Sequence, residues 1–88
     1  MDALKNKRIM LDGITLLLVD LVAVRGEVAR EVGEIKKDRK MPVANLKREA
    51  EVVAKARAYA KRRGVDAALI ERIVKLLIED AKRLEKKA

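Results

Sequence analysis

Cysteine, histidine, serine and glutamine are all missing from this sequence, and it holds one aromatic residue, Tyr59. Without cysteine and histidine there can be no disulfides, thiolate nucleophiles, imidazole bases or zinc sites of the usual kind. Any catalysis must therefore run on Arg, Lys, Asp, Glu and Tyr59, and neither a metal nor a cofactor is expected. With 1% aromatic residues, a core has to be assembled from Leu, Ile, Val and Ala. No apolar run approaches the length of a membrane span, and the N-terminus lacks the hydrophobic block of a signal peptide. The expected location is the cytoplasm, with no membrane partner. Proline occurs once, as Pro42, and there is no repeat or low-complexity segment.

What is present is charge. Charged residues make up 41% of the 88 residues, with a formal net charge of +8. The many Lys and Glu, together with the missing serine and glutamine, match the bias of proteins from hot environments, where ion-pair networks help. The basic excess implies an anionic partner or a soluble basic surface. Nucleic acid is one candidate, but the acids are interspersed with the bases and there is no aromatic stacking platform, so it is disfavoured.

Residues 1–88 read as one small all-α domain of three helices. Leu11, Ile14, Leu18, Leu21, Val28, Val32 and Ile35 advance in steps of three and four, the rhythm of a helix that buries one seam against partners. This predicts a first helix over about 3–37. Pro42 then forces an extended connector. Asn45 is the expected N-cap of a second helix over about 46–63, which Gly64 ends, and Asp66 is the expected cap of a third over about 66–86. In the third helix Ile70, Ile73, Val74, Leu77, Ile78, Ala81 and Leu84 form a stripe. A first helix roughly 50 Å long cannot be covered by two of about 30 Å. The seam therefore asks for a second copy of the chain, most simply an isologous dimer with two long helices packed together.

One beat of the seam is wrong. The position between Leu21 and Val28 should be apolar and is Arg25. Lys36 follows 36 − 25 = 11 residues later, on nearly the same face and roughly 16 Å away, so the two side chains can grip a small anion between them. On residues alone, Arg25 can equally snorkel to solvent, and Lys36 can be a surface lysine. Glu85 continues the inward stripe of the third helix from Ile78 and Ala81, or else frays with the nearby chain end. Asn45, Arg48 and Glu49 share the opening turn of the second helix, where capping and an ion pair also account for them. Arg8 lies 25 − 8 = 17 residues before Arg25, roughly 25 Å along the same helix. Within one subunit no small metabolite touches both; in an antiparallel dimer the partner's Arg8 comes beside this Arg25.

These residues, taken in order, give the chain a resemblance to the all-helical class of chorismate mutases, over residues 8 to 85. The matching pieces are RIMLD (8 to 12), VAVRGEVAREVGEIK (22 to 36), PVANLKRE (42 to 49) and LLIED (76 to 80) followed by Glu85. The resemblance implies an intertwined homodimer with two shared active sites, each converting chorismate to prephenate by intramolecular rearrangement, without cofactor or metal. It assigns Arg25 and the partner's Arg8 to the substrate's carboxylates, and Lys36 and Glu85 to the ether oxygen of the breaking bond. Glu49 would take the ring hydroxyl, with Arg48 beside the substrate and Asn45 and Ala81 on the wall. Three positions depart from the commonest family pattern. Asn45 stands where aspartate is frequent and Ala81 where some members have serine. Glu85 stands where glutamine is common, and an ionised carboxylate cannot donate a hydrogen bond. An isochorismate-pyruvate lyase shares the fold and is the alternative within it.

Overall fold

The computed structural model describes residues 2–88 as three helices in the order α1 (Ala3–Asp38), α2 (Leu46–Arg62) and α3 (Ala67–Lys86). Each begins at a side-chain cap. Asp2 accepts from the Leu4 amide at 2.9 Å, Asn45 from that of Arg48 at 3.1 Å, and Asp66 from those of Ala68 and Leu69 at 2.9 and 3.4 Å. These bonds satisfy amides that have no partner within the helix. The ends of α1 and α2 are set by left-handed residues. Lys40 (φ 55°) lets the Met41 amide reach back to the Lys36 carbonyl at 2.8 Å, and Gly64 (φ 72°) lets that of Val65 reach Ala60 at 2.9 Å. The sequence-based boundaries agree within a residue.

The helices pack in series. α3 lies against α1 on one side and α2 on the other, while α1 and α2 make no close backbone approach to each other. The α1–α3 contact uses the smallest residues of α1: Gly26, Ala29 and Gly33 are its buried positions. A Cβ built on Gly33 would come within 2.6 Å of both Cα and the carbonyl oxygen of Glu85, and one on Gly26 within 3.2 Å of Leu84 Cδ1. Helix α3 thus sits on the backbone of α1, which draws Glu85 toward Lys36.

The buried apolar core of the single chain is small: Ala29, Ala60, Ile78 and Leu84. The stripe of α3 is not uniformly inward, since Ile73 is exposed. From Ala3 to Val24 every residue of α1 is exposed, with Leu11 at 62%, Leu18 at 57% and Leu21 at 64%. Over that stretch α1 projects as a bare arm, and the chain measures 59 × 25 × 15 Å. No helix among the described residues is long and apolar enough to cross a membrane.

Candidate active site

All three helices and the Pro42 connector border one cavity of about 370 Å³. Helix α1 contributes Arg25 and Lys36 with the apolar wall of Val28 and Val32; the first turn of α2 contributes Asn45, Arg48 and Glu49; α3 contributes Ala81, Lys82 and Glu85. Seven of the eight residues singled out from the sequence therefore line a single space. The eighth, Arg8, is exposed on the projecting arm of α1 and does not border it.

Lys36 is held on two sides. Its ammonium donates to the Glu85 carboxylate at 2.6 Å and to the Val43 carbonyl at 2.8 Å, and the side chains of the pair are only 19% and 9% exposed. Neither residue is therefore a solvated surface charge, and Glu85 does not fray with the chain end. Arg25 reaches across to α3, donating from one terminal nitrogen to the Leu77 carbonyl at 3.1 Å. That bond turns the guanidinium inward, and among the described residues it has no carboxylate partner. The Arg48 guanidinium has none either. The cavity is thus bordered by two arginines without counter-ions, a pattern suited to a ligand that brings its own carboxylates.

Glu49 completes the polar wall. Its Oε1 accepts from Lys82 at 3.4 Å, whereas Oε2 is buried with no hydrogen-bond partner. A buried acceptor left open costs free energy unless a ligand or water fills it. Asn45 spends its side-chain oxygen on the cap of α2, leaving its amide nitrogen as a donor at the edge of the cavity. Ala81 offers only a methyl group. Among the described residues no group of three or more acidic side chains is placed to hold a metal ion.

Lys82 was not singled out from the sequence, although a signal was there: Ile78, Lys82 and Glu85 stand at i, i+4 and i+7, on one face of α3. Its ammonium also donates to Glu79 at 2.9 Å. Glu79's hydrogen bond, with Glu49's charge and hydrogen bond beside it, holds Lys82 above the usual lysine range, against burial, which acts the other way. The role of Gly33 also went unread, because an α1 seam counted in apolar residues passes over a glycine.

Comparison with known proteins bears on this geometry. Residues 8–86 match the family model described as chorismate mutase type II. The chain is 31% identical over 85 residues to a chorismate mutase of Methanocaldococcus jannaschii, covering 97% of this chain and 86% of that protein. It is 32% identical over 84 residues to a 4-amino-4-deoxychorismate mutase of Streptomyces pristinaespiralis, covering 96% of this chain and 65% of the other. It is also 30% identical over 81 residues to a T-protein of Haemophilus influenzae, where 92% of this chain spans only 22% of the relative. The chain thus corresponds to a fraction of some relatives and to most of another, and the matched region takes in every residue of the cavity: the chain belongs to the chorismate mutase type II family.

Proposed function

We propose that the chain is a chorismate mutase acting as a homodimer, rearranging chorismate to prephenate in two cavities that each receive an arginine from the neighbouring subunit. The observation that carries this reading is the pair of counter-ion-free guanidiniums, Arg25 and Arg48, facing the same space as the fixed ammonium of Lys36 and the open Oε2 of Glu49. Chorismate carries carboxylates that suit unpaired guanidiniums, an ether oxygen that suits the ammonium and a ring hydroxyl that suits the open carboxylate oxygen.

A rearrangement within one molecule needs no nucleophile and no proton transfer, so a chain without His, Cys or Ser suffers no handicap. The protein has to hold the compact conformer from which the bond can form, and to place positive charge where the ether oxygen gains negative charge. Arg25, braced on the Leu77 carbonyl, binds one carboxylate through its remaining nitrogens, and Arg48 lies alongside. The partner's Arg8 binds the other carboxylate. Lys36 gives the developing charge on the ether oxygen its counter-charge, and its two anchors mean that little reorganisation is needed when the bond breaks. Glu85 accepts from Lys36 and orients its ammonium toward the ether oxygen. Glu49 accepts the ring hydroxyl on Oε2, and Asn45 and Ala81 shape the wall beside it.

The dimer draws support from the arm of α1. Its exposed Leu and Val residues form a long apolar surface, of the kind soluble proteins bury against partners. Arg8 lies on that arm, roughly 25 Å along the helix from its own cavity, where only a second subunit's cavity is within its reach. An antiparallel pairing of two α1 helices would cover the apolar surface and deliver Arg8 together.

The test is to follow chorismate absorbance with the purified protein and to identify the product. Prephenate supports the reading. Salicylate or pyruvate, formed from isochorismate, would replace the mutase with a lyase. No turnover of either, with salt-sensitive binding of duplex DNA, would overturn it.

A further inference from the structure

The rearrangement gives Lys82 no task, yet its side chain borders the cavity, is about three-quarters buried and is drawn to two acids at once. Its Nζ lies 3.4 Å from Glu49 Oε1 and 2.9 Å from Glu79 Oε1. Glu79 is exposed, with its side chain at 70%, so the shorter contact pulls the ammonium toward the rim, away from the centre of the cavity. The longer contact occupies one oxygen of Glu49 and leaves the other, Oε2, buried and unpartnered.

Two effects follow for a group bound at Oε2. Glu49 is held at Oε1, so its other oxygen is presented to the ligand in a fixed position. Its charge is also partly compensated by an ammonium a few ångströms away. A hydroxyl, being neutral, donates to such a carboxylate with little loss. A ligand ammonium at the same place would share one carboxylate with a second positive charge, and like charges at that separation in a partly dry site repel strongly. Without Lys82 the carboxylate would be a full anion, favouring a cation over a neutral donor.

We propose that Lys82 is a specificity-determining residue that anchors Glu49 and offsets its charge, so that the cavity takes a ring hydroxyl and rejects a ring ammonium. The proposal rests on the mutase reading, which places the ring substituent at Glu49. It names its own pair of ligands: chorismate, and 4-amino-4-deoxychorismate, in which an amine replaces that hydroxyl. One relative of this chain bears the name of a mutase for the amino compound.

The experiment compares wild type with Lys82→Met, which keeps an unbranched chain of similar length, and with Lys82→Arg, which keeps the charge. For each protein, kcat and KM are measured on both compounds, and binding of both is measured by calorimetry. Wild type should favour chorismate, Lys82→Met should shift the ratio of the two kcat/KM values toward the amino compound by about tenfold or more, and Lys82→Arg should restore the wild-type ratio. An equal fall on both compounds would make Lys82 a ligand for a shared carboxylate and overturn the proposal; an unchanged ratio with unchanged rates would do so too. If wild type binds chorismate without rearranging it, the mutase reading fails, and the ratio of calorimetric affinities still decides the role of Lys82. If wild type binds neither compound, both fall together.

Discussion

Arg25 shows why a single side chain can break a pattern without breaking a fold. It replaces an apolar residue in the α1 seam, but its guanidinium is bonded to the Leu77 carbonyl and has no carboxylate partner, so its removal leaves no buried acid unpaired. Arg25→Ala is therefore expected to fold as the wild type does, checked by circular dichroism, while kcat/KM on chorismate falls by roughly 10²–10³, the scale seen when one charge-stabilising donor is lost. Near-normal turnover would remove Arg25 from the site. Glu85 is different, because it already serves Lys36 at 2.6 Å. In Glu85→Gln the amide oxygen can still accept from Lys36 while the amide nitrogen donates to the ether oxygen at any pH. Glu85→Gln is therefore expected to keep its activity on chorismate, while Glu85→Ala, which leaves Lys36 with the Val43 carbonyl alone, loses most of it in the same assay; equal turnover in all three proteins would remove Glu85 from the site. At this scale Arg25 and Glu85 were legible from periodicity alone, because charges at positions that demand apolar residues are conspicuous, whereas Asn45, Arg48, Glu49 and Ala81 stood out only through the family resemblance. Lys82 was not legible, because a lysine three residues after a glutamate reads as an ordinary surface pair, and its second acid, Glu49, comes from another helix.

Among the elements, the contact between α1 and α3 has the least room. Gly33→Ala would set a methyl group 2.6 Å from the backbone of Glu85, which neither helix can relieve by turning a side chain. A loss of roughly 1–3 kcal/mol in unfolding free energy is expected, typical of overpacking, and a fall in activity with it, because the strand of backbone pushed away carries Glu85. Denaturant titration and the chorismate assay on the same preparation check both. The α2–α3 contact carries a different device, the cluster of Glu71 with Lys75 and Arg57, each at 2.9 Å. The hydrogen bond and charge of Lys75, helped by Arg57, hold the Glu71 carboxyl below its ordinary 4.5. A carboxyl with a lowered folded value contributes stability above its unfolded value and loses it as pH falls through the folded one. The denaturation midpoint of wild type should therefore exceed that of Glu71→Gln near neutrality, and the gap should close as pH falls through the carboxyl's lowered value. A gap that persists in acid would assign the difference to packing. Helix boundaries were legible because caps and stops are local: Asn45, Gly64 and Asp66 act on residues within five positions. Which face of α1 meets α3 was not, because the answer lies in Gly26, Ala29 and Gly33, residues chosen for lacking bulk.

At the scale of the whole molecule, the one singled-out residue outside the cavity becomes the most informative. If each site combines Arg25 of one subunit with the partner's Arg8, then Arg8→Ala and Arg25→Ala should each be inactive alone. Unfolded together and refolded as an equal mixture, they should recover about a quarter of wild-type activity, since half the dimers are mixed and each mixed dimer rebuilds one of its two sites. No recovery on mixing would confine each site to a single subunit. That apolar surface would be left over on α1 could be inferred from length and periodicity, since a 36-residue helix stands beside helices of 17 and 20; what covers it could not, because a seam shows appetite without naming its partner.

That bare arm has a further consequence. So few apolar side chains are enclosed by one chain that, if two arms pair as proposed, most of the burial available to this sequence lies between copies. Dilution would then be a denaturant in its own right: the folded fraction would depend on how many copies share a volume, and the catalyst would exist only above a threshold of its own abundance.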